Sequence, residues 1–375
     1  MNGAPTFVSP RSGGYTQDQV AQVLAGGAHS HVLVQTSGST GTPRTVAVSG
    51  RALHESGAAT ARFLGATGQW LLALPTDHIA GIQVLARSEL AGHRAAAVDL
   101  SAGFTARAFL DAHARLSASH TLVSLVPTQL FRLLDSPAAT AALATFAAIL
   151  LGGAAAPQPL LDRAAALGLR IVTTYGMSET AGGCVYNGRP LDAVTIKTEE
   201  PGSPSRILIS GPMLASGYLA DGELIEPADS FVTDRAGVRW HRTNDLGQLD
   251  AEGRLSVLGR ADDTIISGGA NVSPTQVESL LTGRFGFAQV CVVGVPDQAW
   301  GQRVIAVVIA DCAVSEIGSL TSVRRYAADN LGRSASPTEI IVVPEFPLTA
   351  SGKVDRRALA EQITAEFSQR TQHET

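Results

Sequence analysis

The sequence is poor in charge, in sulfur and in aromatic rings. Charged residues make up 16% of its 375 positions and aromatic residues 5%. Lys and Arg together number 28, most of them Arg, against 33 Asp and Glu, a formal net charge of −5. That balance removes the electrostatic reason to expect nucleic acid or an anionic membrane as partner. The three cysteines, Cys184, Cys291 and Cys312, lie far apart with no CxxC pair. An odd, scattered set fits a reducing compartment, not a disulfide framework. The N-terminus has neither the basic start nor the apolar run of a signal peptide. The uncharged stretch from Pro137 to Pro159 is rich in Ala and interrupted by Gly152-Gly153. A membrane span wants about 20 strongly apolar residues, so this stretch reads as an Ala-rich helix, a short buried strand at 147–151 and a glycine turn. A cytoplasmic enzyme is expected.

Hydrophobic residues reach 45%, and the length suffices for one large domain plus a smaller one. Short apolar runs at 32–34, 70–74, 121–126, 149–151 and 171–172 read as buried strands. The stretches 52–64, 105–116, 129–134 and 160–167 read as helices. This alternation predicts a layered α/β domain with a mostly parallel core sheet. From 207 to 258, short strand-like runs alternate with Gly, Pro and Asp turns, as in a β-rich subdomain. After Arg260 a smaller unit begins, with helices at 275–281 and 321–331 and strands at 290–293, 304–309 and 340–343. The expected fold class is α/β: a large layered α/β N-terminal domain with a β-rich subdomain over 1–259, then a small α+β C-terminal domain over 260–375.

Five segments carry residues suited to chemistry. Thr36-Ser37-Gly38-Ser39-Thr40-Gly41-Thr42-Pro43-Arg44 follows a strand and is expected to precede a helical stretch. Hydroxyl and glycine steps expose N–H groups that can wrap an anion. It is not a Walker A loop, which would need Gly at 43 and Lys at 44; a flexible surface turn explains the composition equally well. Thr173-Thr174-Tyr175-Gly176-Met177-Ser178-Glu179-Thr180 sets a carboxylate among hydroxyls, a donor set suited to Mg²⁺ on ATP phosphates. Taken alone it also reads as a helix start capped by Ser178. Asp245, in Arg242-Thr243-Asn244-Asp245-Leu246-Gly247, can accept from both ribose hydroxyls, or can belong to an Asx turn. Gly259-Arg260-Ala261-Asp262-Asp263 offers a cation, or a hairpin turn with a surface ion pair. Lys353 stands on the Gly-flanked stretch Pro347 to Arg356 as a mobile point charge, or as an ordinary solvated lysine.

In this order the five segments resemble the motifs of the adenylate-forming superfamily: acyl- and aryl-CoA ligases, luciferases and peptide-synthetase adenylation domains. Each has a bland reading; five in order from Thr36 to Lys353 do not. The phosphate loop of that family usually ends in Lys, where this chain has Arg44. The resemblance implies that Thr36, Ser37, Gly38, Ser39, Thr40, Gly41 and Arg44 hold ATP phosphates with Mg²⁺ on Glu179. It implies that Gly152, Gly153, Ala154, Thr174, Tyr175, Gly176, Ser178, Asp245 and Arg260 hold the adenosine side. It makes the small domain mobile about Asp262, with Lys353 promoting adenylation. Only 35 residues precede Thr36, so a short form is expected, lacking or replacing part of the usual outer sheet.

The acyl acceptor follows from further resemblance. Ser267 to Pro274, with Gly268-Gly269, resembles the loop that CoA ligases set beside the pantetheine channel. His78-Ile79-Ala80-Gly81, Val126 to Leu130 and Ser178 to Tyr186 resemble the short o-succinylbenzoate–CoA ligases of menaquinone biosynthesis in actinobacteria. The resemblance implies ATP, Mg²⁺ and coenzyme A as partners of a small aromatic acid, and it allows a homodimer. His78 would gate or polarise the thioester step, or is simply a core histidine on a loop. Thr128, Tyr186 and the backbone of Gly182-Gly183 are candidates for the second carboxylate of such an acid. Cys184 reads as a packing residue. Alternatives remain: a CoA ligase for another acid, a stand-alone enzyme loading a carrier protein, or a non-catalytic nucleotide sensor, against which Glu179 and Lys353 argue.

Overall fold

The computed structural model describes residues 4–36, 44–310, 312–313, 317–349 and 353–373. Its strands and helices divide between two compact units. One comprises 1–156, 162–243 and 247–256; the other comprises 157–161, 244–246 and 257–375.

The first unit opens with β1 (Thr6–Val8), α1 (Gln17–Ala25), β2 (Ser30–Thr36), β3 (Arg44–Ser49) and α2 (Gly50–Leu64). Strand β3 corrects one expectation: the segment after Thr36 is followed by a strand, not directly by a helix. The β-branched and small apolar run Thr45-Val46-Ala47-Val48 pairs antiparallel with β2, from His31 opposite Ser49 to Thr36 opposite Arg44. Ser49 then caps α2 by accepting from the Ala52 N–H.

Next come β4 (Gln69–Leu72), α3 (Ile79–Leu90), β5 (Ala96–Ala97), α4 (Ala106–His113), β6 (Thr121–Leu125), α5 (Pro127–Leu134), α6 (Pro137–Leu143), β7 (Ala148–Leu151), α7 (Gln158–Ala166), β8 (Ile171–Met177) and β9 (Gly182–Tyr186). Strands β5, β4, β6, β7 and β8 run parallel in that spatial order, with antiparallel β9 beyond β8. The chain moves outward from β4 to β5 and then returns to β6 on the other side of β4, so a topological switch point falls between β4 and β6. Ligands of open parallel sheets bind at the carboxyl ends of strands at such a point. Helix α3 is buried almost all round, polar Gln83, Arg87 and Ser88 included.

The β-rich part follows: β10 (Arg189–Pro190), β11 (Thr195–Thr198), β12 (Ser205–Ser210), β13 (Gly217–Ala220), β14 (Glu223–Ile225), β15 (Phe231–Thr233), β16 (Arg239–Leu249) and β17 (Leu255–Arg260). Strands β11, β12, β16 and β15 form one sheet, and β17 pairs with β16. Strand β13 instead joins β3, extending the sheet that begins with β1 and β2.

The second unit is α+β. Strands β18 (Ile265–Ser267), β19 (Ala270–Val272), β20 (Phe287–Asp297), β21 (Gly301–Ala310) and β22 (Glu339–Val342) carry α8 (Pro274–Leu281), α9 (Leu320–Leu331) and α10 (Arg356–His373). Period-2 alternation splits its core. Val292, Val304, Ala306 and Val308 pack with Val277 and Val323, while Val293, Ile305 and Val307 pack with Leu359 and Ile363. No helix among the described residues is long and apolar enough to cross a membrane.

One partly buried ion pair ties this unit together. The Arg356 guanidinium, at the start of α10, donates to both Glu278 carboxylate oxygens on α8 and, at 2.6 Å, to the Val292 carbonyl on β20. Removing one partner of such a pair strands the other charge. Arg356→Met is expected to lower the stability of the second unit by about 3 kcal/mol in urea unfolding at neutral pH. Arg357→Ala, which breaks an exposed pair with Glu361, should change it by less than about 0.5 kcal/mol.

Candidate active site

The carboxyl ends of the parallel strands collect most of the singled-out residues of the first unit. Beyond β4 stands His78, beyond β6 Thr128, beyond β7 Gly152-Gly153-Ala154, and at the end of β8 Thr174, Tyr175, Gly176, Ser178 and Glu179. Leu151 lies opposite Thr173, so the glycine turn and the Thr174-Tyr175 segment are neighbours.

Strand β8 must reverse into β9 within a few residues, and the sequence is built for it. Ser178–Thr180 forms one 3-10 turn, and Ala181 and Gly182 take φ of +48° and +95°. A methyl on Gly176 would come within 2.1 Å of the Gly182 carbonyl oxygen, so only glycine fits there. The Thr180 hydroxyl donates to the Gly182 carbonyl at 2.7 Å and accepts from the Met177 N–H at 2.9 Å. Gln83 on α3 and Ser56 on α2 donate to the Ala181 carbonyl at 2.7 and 3.0 Å. The helix start capped by Ser178 is therefore corrected: Ser178 is buried in a strand-to-turn junction held by side chains from two helices.

Glu179 leaves this turn with Oε1 accepting from the Tyr218 hydroxyl at 2.9 Å. Oxygen donors of this kind suit Mg²⁺, which takes few protein ligands. Arg44 lays its guanidinium over the Tyr218 ring, 5.3 Å from the centroid, and donates to the Ser230 hydroxyl at 3.2 Å. Thr36 faces Arg44 across the β2–β3 ladder. Ser37, Gly38, Ser39, Thr40 and Gly41, with Thr42 and Pro43, lie outside the described residues.

Two further readings are corrected here. His78 is not a core histidine: it begins α3 with a side chain about a third exposed, 3.9 Å from Asp77. Tyr186 is fully buried, sharing its hydroxyl with Thr60 at 2.9 Å and Arg87 at 3.2 Å.

Arg87 is the residue that sequence reasoning missed. It is buried, stacks over Trp70 at 5.2 Å, and its Nε has no hydrogen-bond partner. No ion pair to it occurs among the described residues. Together with His54, Thr60 and Trp70 it lines a cavity of about 280 Å³. A buried guanidinium without a counter-charge is costly and calls for an anion. The sequence offers no signal for it, since Arg87 stands beside Ser88 and Glu89 as an ordinary surface-facing end of a helix would.

In the second unit, Asp245, Arg260 and Asp262 come together. Arg260 pairs bidentately with Asp262 at 2.9 and 2.8 Å and lies 3.7 Å from Asp245. Asp245 sits inside strand β16, so the Asx-turn reading is corrected. The segment stays extended because β12 and β17 flank it and Gly247 lets Ile207 approach to where its Cβ would be. Arg260 ends strand β17 and Asp262 follows in the turn. The ion pair of the bland reading is present, but its hairpin is corrected, since β17 pairs with β16 while β18 pairs with β19 and β21 in another sheet. Lys353 keeps an exposed surface, yet its ammonium is pushed below the ordinary lysine value, first by desolvation, then by the like charge of Arg260, with Asp245 opposing. The strand pairing of Leu348 with Val354 and the Thr349 N–H to Lys353 carbonyl bond of 2.8 Å frame its loop; Ala350, Ser351 and Gly352 lie outside the described residues. Gly268 and Gly269 form the turn of the β18–β19 hairpin with φ of +58° and +80°.

The AMP-binding enzyme profile matches residues 15–219, and the profile of the AMP-binding enzyme C-terminal domain matches 276–353. The chain belongs to the AMP-binding enzyme family. This AMP-binding enzyme is 41% identical over 343 residues to the probable 2-succinylbenzoate–CoA ligase of Mycobacterium tuberculosis strain H37Rv, covering 90% of this chain and 86% of that protein. Among solved structures it is similar to o-succinylbenzoate CoA synthetase (MenE) from Bacillus subtilis in complex with the acyl-adenylate intermediate OSB-AMP, with TM-score 0.72 and 31% identity, covering 88% of this chain and 68% of that one. The same B. subtilis enzyme in complex with ATP and magnesium ion gives TM-score 0.71 and 30% identity, covering 88% and 69%.

The cysteines take no part in the arrangement. Burial pushes the Cys184 and Cys291 thiols up to about 12, so both stay protonated and inert. A maleimide at pH 7 is expected to label the native enzyme at Cys312 alone, as read by peptide mass mapping. Labelling of Cys184 before unfolding would contradict the packing described.

Proposed function

We propose that this AMP-binding enzyme is an o-succinylbenzoate–CoA ligase of menaquinone biosynthesis. It forms an acyl-adenylate from the acid and ATP and passes the acyl group to coenzyme A. The observation that carries the reading is the gathering of His78, Thr128, Gly152 to Ala154 and Tyr175 to Glu179 at one edge of a parallel sheet, on a chain whose relatives bear that name. In this reading the enzyme is cytoplasmic, acts on small molecules without nucleic acid or membrane insertion, and is compatible with a homodimer.

The chemistry needs positioning more than a protein nucleophile, because the substrate carboxylate is itself the nucleophile. Thr36 to Gly41 and Arg44 hold the ATP phosphates. Gly152, Gly153, Ala154, Thr174, Tyr175, Gly176 and Ser178 hold the base, and Asp245 and Arg260 the ribose. Glu179 would hold Mg²⁺, which neutralises phosphate charge and orients the oxygens. Lys353 stabilises the crowding of negative charge as the carboxylate meets the α-phosphate. Asp262 is the hinge between the half-reactions, after which Gly268 and Gly269 receive the pantetheine chain and His78 assists attack by the CoA thiol. The acid's second carboxylate is left to Thr128 and the Gly182-Gly183 backbone near the carboxyl edge, because the Arg87 cavity opens beside Gly68 and Trp70, at the amino ends of β4 and β6.

Two measurements test this. With buried donors that an analogue leaves unpaired, o-succinylbenzoate should exceed plain benzoate by at least about 100-fold in kcat/KM. Equal turnover of benzoate by the unaltered enzyme sinks the substrate assignment. Lys353→Ala should lower pyrophosphate release by about 10²- to 10³-fold while leaving conversion of preformed acyl-adenylate and CoA near the original rate. Because the Lys353 ammonium deprotonates below the ordinary lysine value, adenylation should decline with rising pH before the ordinary lysine range is reached, and Lys353→Arg should move the decline upward.

A further inference from the structure

We propose that Tyr218 is a positioning residue that fixes the Glu179 carboxylate for the metal. The inference rests on the reading that Glu179 holds Mg²⁺, and deepens it.

A lone carboxylate on a turn is a poor metal ligand unless something fixes its rotamer, because ordering it costs side-chain entropy. Here one hydrogen bond does so. The Tyr218 hydroxyl donates to Oε1 of Glu179 at 2.9 Å, a bond to a charged acceptor and so stronger than a neutral one. The described residues give Oε2 no hydrogen bond, which leaves it for the ion. The bond runs from the phenol hydroxyl to the carboxylate oxygen, because a carboxylate offers acceptors only.

The ring is itself held from several sides. Tyr218 is 5% exposed. On β13 it lies opposite Val46 of β3, two residues beyond Arg44. The Arg44 guanidinium covers one face and Phe231 packs 5.8 Å away between centroids. From the turn side, the Ala215 N–H donates to the Glu179 carbonyl at 2.8 Å, so the segment leading into β13 grips the Glu179 backbone as well. Tyr218 thus connects the strand that follows the phosphate loop to the carboxylate at the end of β8. The planar guanidinium suits this stacked place better than the ammonium of a lysine would.

The test is Tyr218→Phe, which removes the hydroxyl and keeps the ring between Arg44 and Phe231. ATP affinity is measured by titration calorimetry with Mg²⁺ and with EDTA, on the original enzyme, Tyr218→Phe, Glu179→Gln and the double variant. Tyr218→Phe is expected to weaken binding roughly tenfold with Mg²⁺, the scale of one hydrogen bond to a charged group, and to leave binding in EDTA unchanged. Added to Glu179→Gln, it should change nothing further. The melting temperature and the conversion of preformed acyl-adenylate with CoA should stay near the original values. A Mg²⁺ effect in Glu179→Gln but none in Tyr218→Phe overturns the role of Tyr218 and leaves that of Glu179 standing. Equal weakening with and without Mg²⁺, or a lowered melting temperature with both half-reactions reduced, overturns it in favour of a purely structural tyrosine. No Mg²⁺ effect in Glu179→Gln overturns the metal assignment itself, and the role of Tyr218 with it.

Discussion

The arrangement of the first unit depends on the close approach of Gly176 to the Gly182 carbonyl. That contact lets β8 abandon its parallel partner, make a single turn and come back as β9. Because the reversal is so tight, Glu179 is thrown out at the carboxyl edge of the sheet instead of being carried away along a helix. The Ala181 carbonyl inside the turn is then reached by Ser56 and Gln83 from two different helices. The packing of α2 and α3 and the location of the carboxylate are thus one constraint, and a substitution at Gly176 would disturb both.

The second unit solves a different problem. Its central strands β20 and β21 bury both faces, one under α8 and α9 and the other under α10. Arg356 joins the two sides by reaching from α10 to Glu278 of α8 past β20. Since Arg356 follows Lys353 by three residues, the same anchor that closes the core also fixes the chain just beyond Lys353. Stability of the core and placement of the chain beside Lys353 are here served by one guanidinium.

What the sequence made legible is what is local. Thr174 to Glu179, Gly268-Gly269 and the apolar runs of β4, β6 and β7 could be read because the residues that act together are contiguous. Strand β3 was hidden because the hydroxyl- and glycine-rich segment before it suggested a strand-to-helix junction, and only pairing with β2 shows otherwise. Helix α10 was hidden because its stretch is polar, with Leu359 and Ile363 as its buried contacts. Arg87 and Tyr218 were illegible in principle. Nothing around either residue in the chain announces Trp70, Tyr186, Glu179 or Arg44, which reach them only through the fold.

Arginine at position 44 has a last consequence, in covalent reactivity. A mixed anhydride of a carboxylic acid and AMP acylates amines. A lysine at position 44 would add one such amine to the protein. The Arg44 guanidinium, stacked on Tyr218 and bonded to Ser230, is a delocalised group and a far poorer nucleophile than a lysine amine. The chain's lysines are Lys197 and Lys353, and Lys197 is turned onto the face of Trp240 at 3.8 Å. A protein that makes an acylating agent therefore carries very few groups that agent could consume, and self-inactivation by its own product would converge on Lys353.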